Sequence, residues 1–62
     1  PARPVAHQER CRALYDFAAE DSTELPLRKG DVINIIKKGQ DWWEGECNGR
    51  RGLFPGNYVE MC

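Results

Sequence analysis

The sequence predicts a small all-β domain, a barrel or sandwich of about five short strands, and three observations carry that prediction. Strand-like apolar segments recur at intervals of about ten residues, with turn residues between them. No segment of useful length has the 3.6-residue period of an amphipathic helix. Six glycines and four prolines in 62 residues favour turns over long helices. A chain of this length forms at most one domain. Such a domain buries only about 60% of the surface its unfolded form exposes, so its stability is marginal.

Residues 1–10 lack periodicity and carry Pro1 and Pro4, and they read as a flexible leader before a domain over residues 11–62. Pro1-Ala2-Arg3-Pro4 has the P-x-x-P spacing of a polyproline II ligand. Four residues match that pattern by chance often, so it reads as linker, with self-docking the lesser alternative. In residues 11–17, Cys11, Ala13, Tyr15 and Phe17 share one parity, which reads as a strand. A bend at Asp16 would change which of them face inward. Residues 18–24 form an acidic loop with Glu20, Asp21 and Glu24. Leu25 and Leu27 flank Pro26 with period two, and residues 28–31 (RKGD) signal a turn.

Residues 32–36 (VINII) are the clearest strand, rich in β-branched side chains. Ile33 and Ile35 share one face, and Val32, Asn34 and Ile36 share the other, more solvated one. Residues 37–41 read as a polar loop. The next strand, residues 42–47, holds both tryptophans side by side. Successive strand side chains point to opposite faces, so one indole serves the fold and the other faces solvent. Alternation alone does not say which. A domain this small has no structural use for a second large aromatic outside, so the outer one points to a partner. Asn48-Gly49 signals a type I′ hairpin, because both central residues of that turn need positive φ. Residues 50–54 return as the partner strand, residues 55–57 break the ladder, and residues 58–61 form a last strand.

Charge and cysteines exclude several functions. Nine basic against ten acidic residues give a net charge of −1, which offers no attraction to nucleic acid or an anionic membrane. No apolar run is long enough for membrane insertion, and no signal peptide is read. Cys11, Cys47 and Cys62 are an odd set without a C-x-x-C pair, and the one histidine, His7, falls in the leader. Neither a disulfide framework nor a zinc site fits. Reduced cysteines acting as small apolar residues imply a cytoplasmic protein. No nucleophile has a base at suitable spacing and no phosphate loop exists, so neither enzymatic activity nor a cofactor is expected.

Four blocks carry a family resemblance: Ala13-Leu14-Tyr15-Asp16-Phe17, Lys29-Gly30-Asp31, Trp42-Trp43-Glu44-Gly45, and Gly52-Leu53-Phe54-Pro55-Gly56-Asn57-Tyr58-Val59. In this order and spacing the chain resembles Src homology 3 (SH3) domains from Cys11 to Met61. Any single block is weak; four in register are specific. The resemblance implies a five-stranded, partly open barrel of two packed antiparallel sheets, with a short 3-10 turn near Gly56 to Tyr58. It also implies a non-catalytic module that binds proline-rich segments in a groove lined by aromatics. Tyr15, Phe17, Trp42, Pro55 and Tyr58 would form the slots. The indole of Trp42, the phenol of Tyr58 and the amide of Asn57 would donate hydrogen bonds to the ligand's carbonyls. Trp43 would support the sheet.

Glu24 matches the family's acid for a flanking ligand arginine or lysine, and Glu20 and Asp21 could reinforce it. A rim pair of this kind is worth about 0.2–1 kcal/mol, and it acts mainly on ligand orientation and on-rate. The plainer reading of these three acids is a solvated loop. Lys37 and Lys38 also read most simply as solvated, in a loop placed to discriminate among ligands. The expected partner is a proline-rich segment, bound by a monomeric domain within a larger signalling, adaptor or cytoskeletal protein. The alternative is an SH3 domain that binds a folded partner through another surface. Two positions depart from the family pattern. Phe17 lacks the hydroxyl of the commoner tyrosine, and Gly56, where serine or alanine is commoner, should loosen its turn. Parity and resemblance together predict a core of Cys11, Ala13, Leu25, Leu27, Ile33, Ile35, Phe54 and Val59. Val32 and Trp43 fall at its edges, and Gly45 permits close packing.

Overall fold

A computed structural model describes residues 9–62; the P-x-x-P segment, His7 and the rest of residues 1–8 lie outside the described residues. The described residues form five antiparallel strands: β1 (Arg10–Ala13), β2 (Val32–Lys37), β3 (Trp42–Cys47), β4 (Arg50–Pro55) and β5 (Val59–Met61). A 3-10 turn, Gly56–Tyr58, joins the last two. Hydrogen bonding runs continuously in the order β4-β3-β2-β1-β5, which puts β4 and β5 at the two ends of the sheet. Phe54 of β4 nevertheless shares one core with Cys11 and Ala13 of β1. The single sheet therefore curls over itself, and its two halves are the packed layers. Among the described residues no helix is long and apolar enough to cross a membrane.

The β3–β4 hairpin is shaped by its turn. Asn48 has φ of 55° and Gly49 of 80°, the left-handed pair that a type I′ turn requires. The turn fixes the register, from Cys47 opposite Arg50 to Trp42 opposite Pro55. The first strand is shorter than its parity suggests. At Ala13 the backbone changes partners: Ala13 N–H donates to Asp31 O (2.8 Å), and Leu14 N–H donates to Tyr58 O (2.7 Å). The chain bends at Leu14 and Tyr15, and Phe17 instead pairs with Leu27 in an isolated bridge with 2.9 Å bonds both ways. Strand β2 runs one residue further than expected and contains a bulge. Ile35 lies opposite Gly45, but the next pair is Lys37 with Glu44, so Ile36 is the extra residue.

Cys11, Ala13, Leu25, Leu27, Ile33, Ile35, Cys47 and Phe54 are buried, with Phe17, Trp43 and Val59 packed against them. Cys47 joins the core because it shares the inward parity of Trp43 and Gly45 on β3. Val59 is only half-buried because three-residue β5 is an edge strand. Val32 is 41% exposed. Two glycines set how tightly the layers close. A Cβ on Gly45 would meet Ile33 Cγ2 at 2.6 Å and Phe54 Cε2 at 2.9 Å. A Cβ on Gly52 would meet backbone: Thr23 O at 2.9 Å, and Glu24 C and Leu25 N at 3.0 Å. The acidic loop returns here, since Leu25 N–H donates to Leu53 O and Leu53 N–H to Thr23 O.

Burial pushes the Cys11 thiol up to about 11, with the Cys62 and Cys47 sulfurs adding to the effect. Burial, with the Asp31 carboxylate next, also raises Cys47. Both thiols stay neutral in the fold, whereas an unfolded thiol ionises near 9.0. Stability from burying the neutral Cys11 thiol is therefore complete below that value and is lost as pH rises toward about 11, and Cys47 acts in the same direction. At mildly alkaline pH, thiol labelling of the folded domain should modify exposed Cys62 rapidly and the other two only after unfolding. Equal rates at all three would show the core to be open. Gly52→Ala should cost about 1–3 kcal/mol of stability, read as a lower urea midpoint, because the added methyl meets backbone that cannot move aside.

Candidate functional site

Strand β3 presents two faces. Trp43, Gly45 and Cys47 point into the barrel, while Trp42, Glu44 and Glu46 point out. Trp43 lies edge-to-face with Phe54 at 6.2 Å between ring centroids. The Lys38 ammonium sits 5.7 Å from the Trp43 ring and pairs with Glu9 at 3.0 Å. Gly56 also contacts this ring: a Cβ there would run into the indole nitrogen. The absent side chain thus gives Trp43 its seat. The expected loosening of the turn is replaced by a packing role.

Trp42 is 45% exposed, on the opposite face. From it runs a chain of four rings: Phe17 lies 5.9 Å from Trp42, Tyr58 5.9 Å from Phe17, and Tyr15 5.6 Å from Tyr58. All three contacts are edge-to-face, the arrangement that aromatic quadrupoles prefer. Pro55 is the cross-strand partner of Trp42. Trp42, Pro55 and Asn57 line one depression together with Gln40 and Asp41. Two backbone bonds hold the assembly. Gly56 N–H donates to Asp41 O at 2.9 Å, and Leu14 N–H ties the Tyr15 segment to Tyr58. The six groove residues read from the sequence therefore come together from β3, β4, the 3-10 turn and the bend after β1.

The acids are placed less simply. Glu24 forms a parallel bridge with Leu53, Leu53 faces Glu44, and Glu44 faces Lys37. Glu24, Leu53, Glu44 and Lys37 thus form one row across the sheet, beside the Trp42–Pro55 pair. One Glu24 carboxylate oxygen accepts the Glu20 N–H at 2.7 Å. Asp21 accepts from the Thr23 hydroxyl (2.5 Å) and N–H (2.8 Å). These bonds, the hydroxyl's first, hold the Asp21 carboxyl below its usual range. Asp21 and Glu24 line a depression with Arg50 and Arg51, and Glu20 enters the loop's hydrogen bonds through its backbone N–H. Glu44 and Leu53 do not stand out in the sequence as site residues, yet they share a second depression with Trp42, Gly39 and Lys37, whose loop the sequence places beside the groove. The hairpin signal contained two of them: a turn at Asn48-Gly49 sets Glu44 opposite Leu53, on the face of Trp42. Among the described residues no cluster of histidine, cysteine, aspartate or glutamate is placed to hold a metal ion.

A family model described as the SH3 domain matches residues 12–56. LAS seventeen-binding protein 3 of Saccharomyces cerevisiae is 53% identical over 64 residues, which cover 98% of this chain and 14% of that protein. This chain therefore corresponds to a small part of that relative. The C-terminal SH3 domain of Myosin IB from Entamoeba histolytica, bound to EhFP10(GEF) peptide, superimposes with a TM-score of 0.86 at 40% identity, covering 89% of this chain and 83% of that one. The SH3 domain of an S. cerevisiae hypothetical 40.4 kDa protein, in complex with a peptide, gives a TM-score of 0.81 at 57% identity, covering 86% and 93%.

The two faces of β3 separate stability from surface. Trp43→Ala should lower unfolding free energy by about 2 kcal/mol or more, while Trp42→Ala should shift it by less than about 1 kcal/mol. Denaturant titration of both variants checks this. The reverse order would mean the faces are exchanged.

Proposed function

The chain belongs to the SH3 domain family, and on that premise we propose that its exposed aromatic chain is the groove for proline-rich, P-x-x-P segments carrying a flanking arginine or lysine. The module is a non-catalytic interaction unit that binds peptides. The observation that carries the reading is the run of four rings from Trp42 to Tyr15, with Trp42 45% and Tyr15 57% exposed. A polyproline II helix has three residues per turn and no internal hydrogen bonds, so it presents ridges of rings and bare carbonyls. Gaps between upright aromatics accept such ridges. On this reading one ridge lies over the Tyr15–Tyr58 contact and the next over the surface shared by Tyr58, Phe17, Trp42 and Pro55. The ligand is already extended, so docking costs it little backbone entropy.

Beyond Trp42 the ligand's cation meets Glu24, whose row adjoins the Trp42–Pro55 pair. One Glu24 oxygen is held by the loop, and the other remains to receive a guanidinium. Asp21 and Glu20 add negative potential, while the Asp21 hydrogen bonds to Thr23 keep the loop in shape. The module works within a longer, cytoplasmic signalling, adaptor or cytoskeletal protein. Three free cysteines suit a reducing compartment, and the neighbours solved with a bound peptide favour a peptide ligand over a folded partner.

Calorimetric titration with a synthetic proline-rich peptide tests the reading. Trp42→Ala should weaken an arginine-flanked peptide by more than tenfold, about 1.4 kcal/mol or more. Glu24→Gln keeps an oxygen for the Glu20 N–H but removes the charge, so it should weaken that peptide more than a neutral one. Equal losses would remove Glu24 from charge reading. Chemical-shift changes confined to another face would support a folded partner instead.

A further inference from the structure

The acidic loop ends in a tight turn over residues 21–24, closed by the Glu24 N–H donating to Asp21 O at 3.2 Å. Both central residues of this turn carry a hydroxyl, and the fold uses only one of them. The Thr23 hydroxyl donates to the Asp21 carboxylate, which also accepts the Thr23 N–H. This local bonding gives the turn its shape. Ser22 is exposed, and among the described residues its hydroxyl makes no hydrogen bond.

Strand β4 stands across from this tip. Ser22, Asp21 and Glu24 line a depression from the loop side, and Arg50 and Arg51 line it from the strand. The two sides are fixed to one another by backbone, since Leu53 N–H donates to Thr23 O and Leu25 N–H to Leu53 O. The charges here are unequally committed. Among the described residues Arg50 has no ion-pair partner. Arg51 gives only its Nε to Glu44, at 2.9 Å, which leaves its terminal nitrogens. The two acids are engaged by their own loop, Asp21 by Thr23 and Glu24 by the Glu20 N–H. Two guanidiniums with spare donors therefore share one hollow with an uncommitted hydroxyl.

We propose that Ser22 is a phosphorylation site whose phosphate is received by Arg50 and Arg51, fastening the acidic loop to β4. A protein kinase supplies the group from ATP. The bond from Ser22 Oγ to the γ-phosphorus forms, the bond from that phosphorus to its bridging oxygen breaks, ADP leaves, and the hydroxyl proton passes to solvent. A phosphoserine carries nearly two negative charges and three strong acceptor oxygens, and a guanidinium fork matches them with paired, charge-assisted hydrogen bonds. The consequence for binding rests on the proposed groove. Arg50 and Arg51 stand beside Glu24 and repel the ligand's basic residue. A phosphate at Ser22 occupies both arginines and adds negative charge to the loop, so it raises the attraction that orients an arginine-flanked ligand.

The folded domain, incubated with ATP and a serine/threonine kinase that prefers acidic flanks, should take up one phosphoryl group, placed on Ser22 by mass spectrometry and absent in Ser22→Ala. No uptake, or uptake at Thr23, would overturn the assignment. The 62-residue chain made by chemical synthesis with phosphoserine at position 22 tests the receiving arginines. Its Tm should rise by about 4 °C over the unmodified chain, and most of that gain should vanish in Arg50→Gln or at high salt. An unchanged Tm, or a gain that survives Arg50→Gln and Arg51→Gln together, would overturn the proposal. The phosphorylated domain should bind an arginine-flanked proline-rich peptide about two- to fivefold more tightly, the range of a rim charge contact, and a neutral peptide no better. Equal changes for the two peptides would overturn the effect on ligand binding. If the unmodified domain binds neither peptide, the groove reading fails, while the Tm shift and its dependence on Arg50 still decide the phosphate site.

Discussion

Alternation along β3 is the constraint on which the rest of the molecule depends. A strand cannot place adjacent side chains on one face, so two neighbouring tryptophans must be divided between interior and surface. The interior member is then located by three neighbours: Phe54 at its edge, the Lys38 ammonium on its ring and side-chain-free Gly56 against its nitrogen. The hairpin register carries the division to β4, where Pro55 backs Trp42 and Phe54 backs Trp43. Groove and core are built from the same pair of strands, one residue out of phase.

Among the described residues eight buried side chains make a small core, and Phe54, Leu25, Ile33 and Cys11 are its largest fully enclosed members. Fully burying an apolar side chain contributes about 1.5–3 kcal/mol, so none is dispensable against the conformational entropy of ordering the chain. Close approach matters as much as side-chain size. Without a Cβ at Gly52, backbone of the acidic loop lies against β4, and Glu24 is thereby delivered beside Leu53. The position of a surface acid is in this sense set by a glycine in a strand.

Much of this architecture is legible in the sequence, and the failures share one cause. Strands β3 and β4 can be read closely because alternation, aromatic content and an Asn-Gly turn agree there. The register of Trp42 with Pro55 comes from the turn alone. Parity overextends the first strand, because it continues through Tyr15 and Phe17 while the ladder stops where Ala13 and Leu14 bond to Asp31 and Tyr58. The bulge at Ile36 is invisible, since an extra residue leaves no compositional mark and reverses the face of Lys37 beyond it. Gly56 reads as a loosening substitution because its reason lies in the Trp43 ring, distant in sequence. Local chemistry is readable, and partner changes between segments are not. The resemblance names six groove positions that the structure gathers. It is silent on Lys37 and Leu53 as partners in one depression, because their grouping depends on the bulge and the hairpin.

The two indoles also make the domain its own optical probe. Trp43 is half-buried and Trp42 is exposed, so their emissions should differ in colour although the residues are adjacent. If the proposed groove is the binding site, a ligand laid over Trp42 should remove water from that indole alone and move the total emission to shorter wavelength. Unfolding hydrates Trp43 and moves it to longer wavelength. Occupancy and loss of structure therefore change one spectrum in opposite directions, and a weakened variant can be sorted into the two cases without any added label.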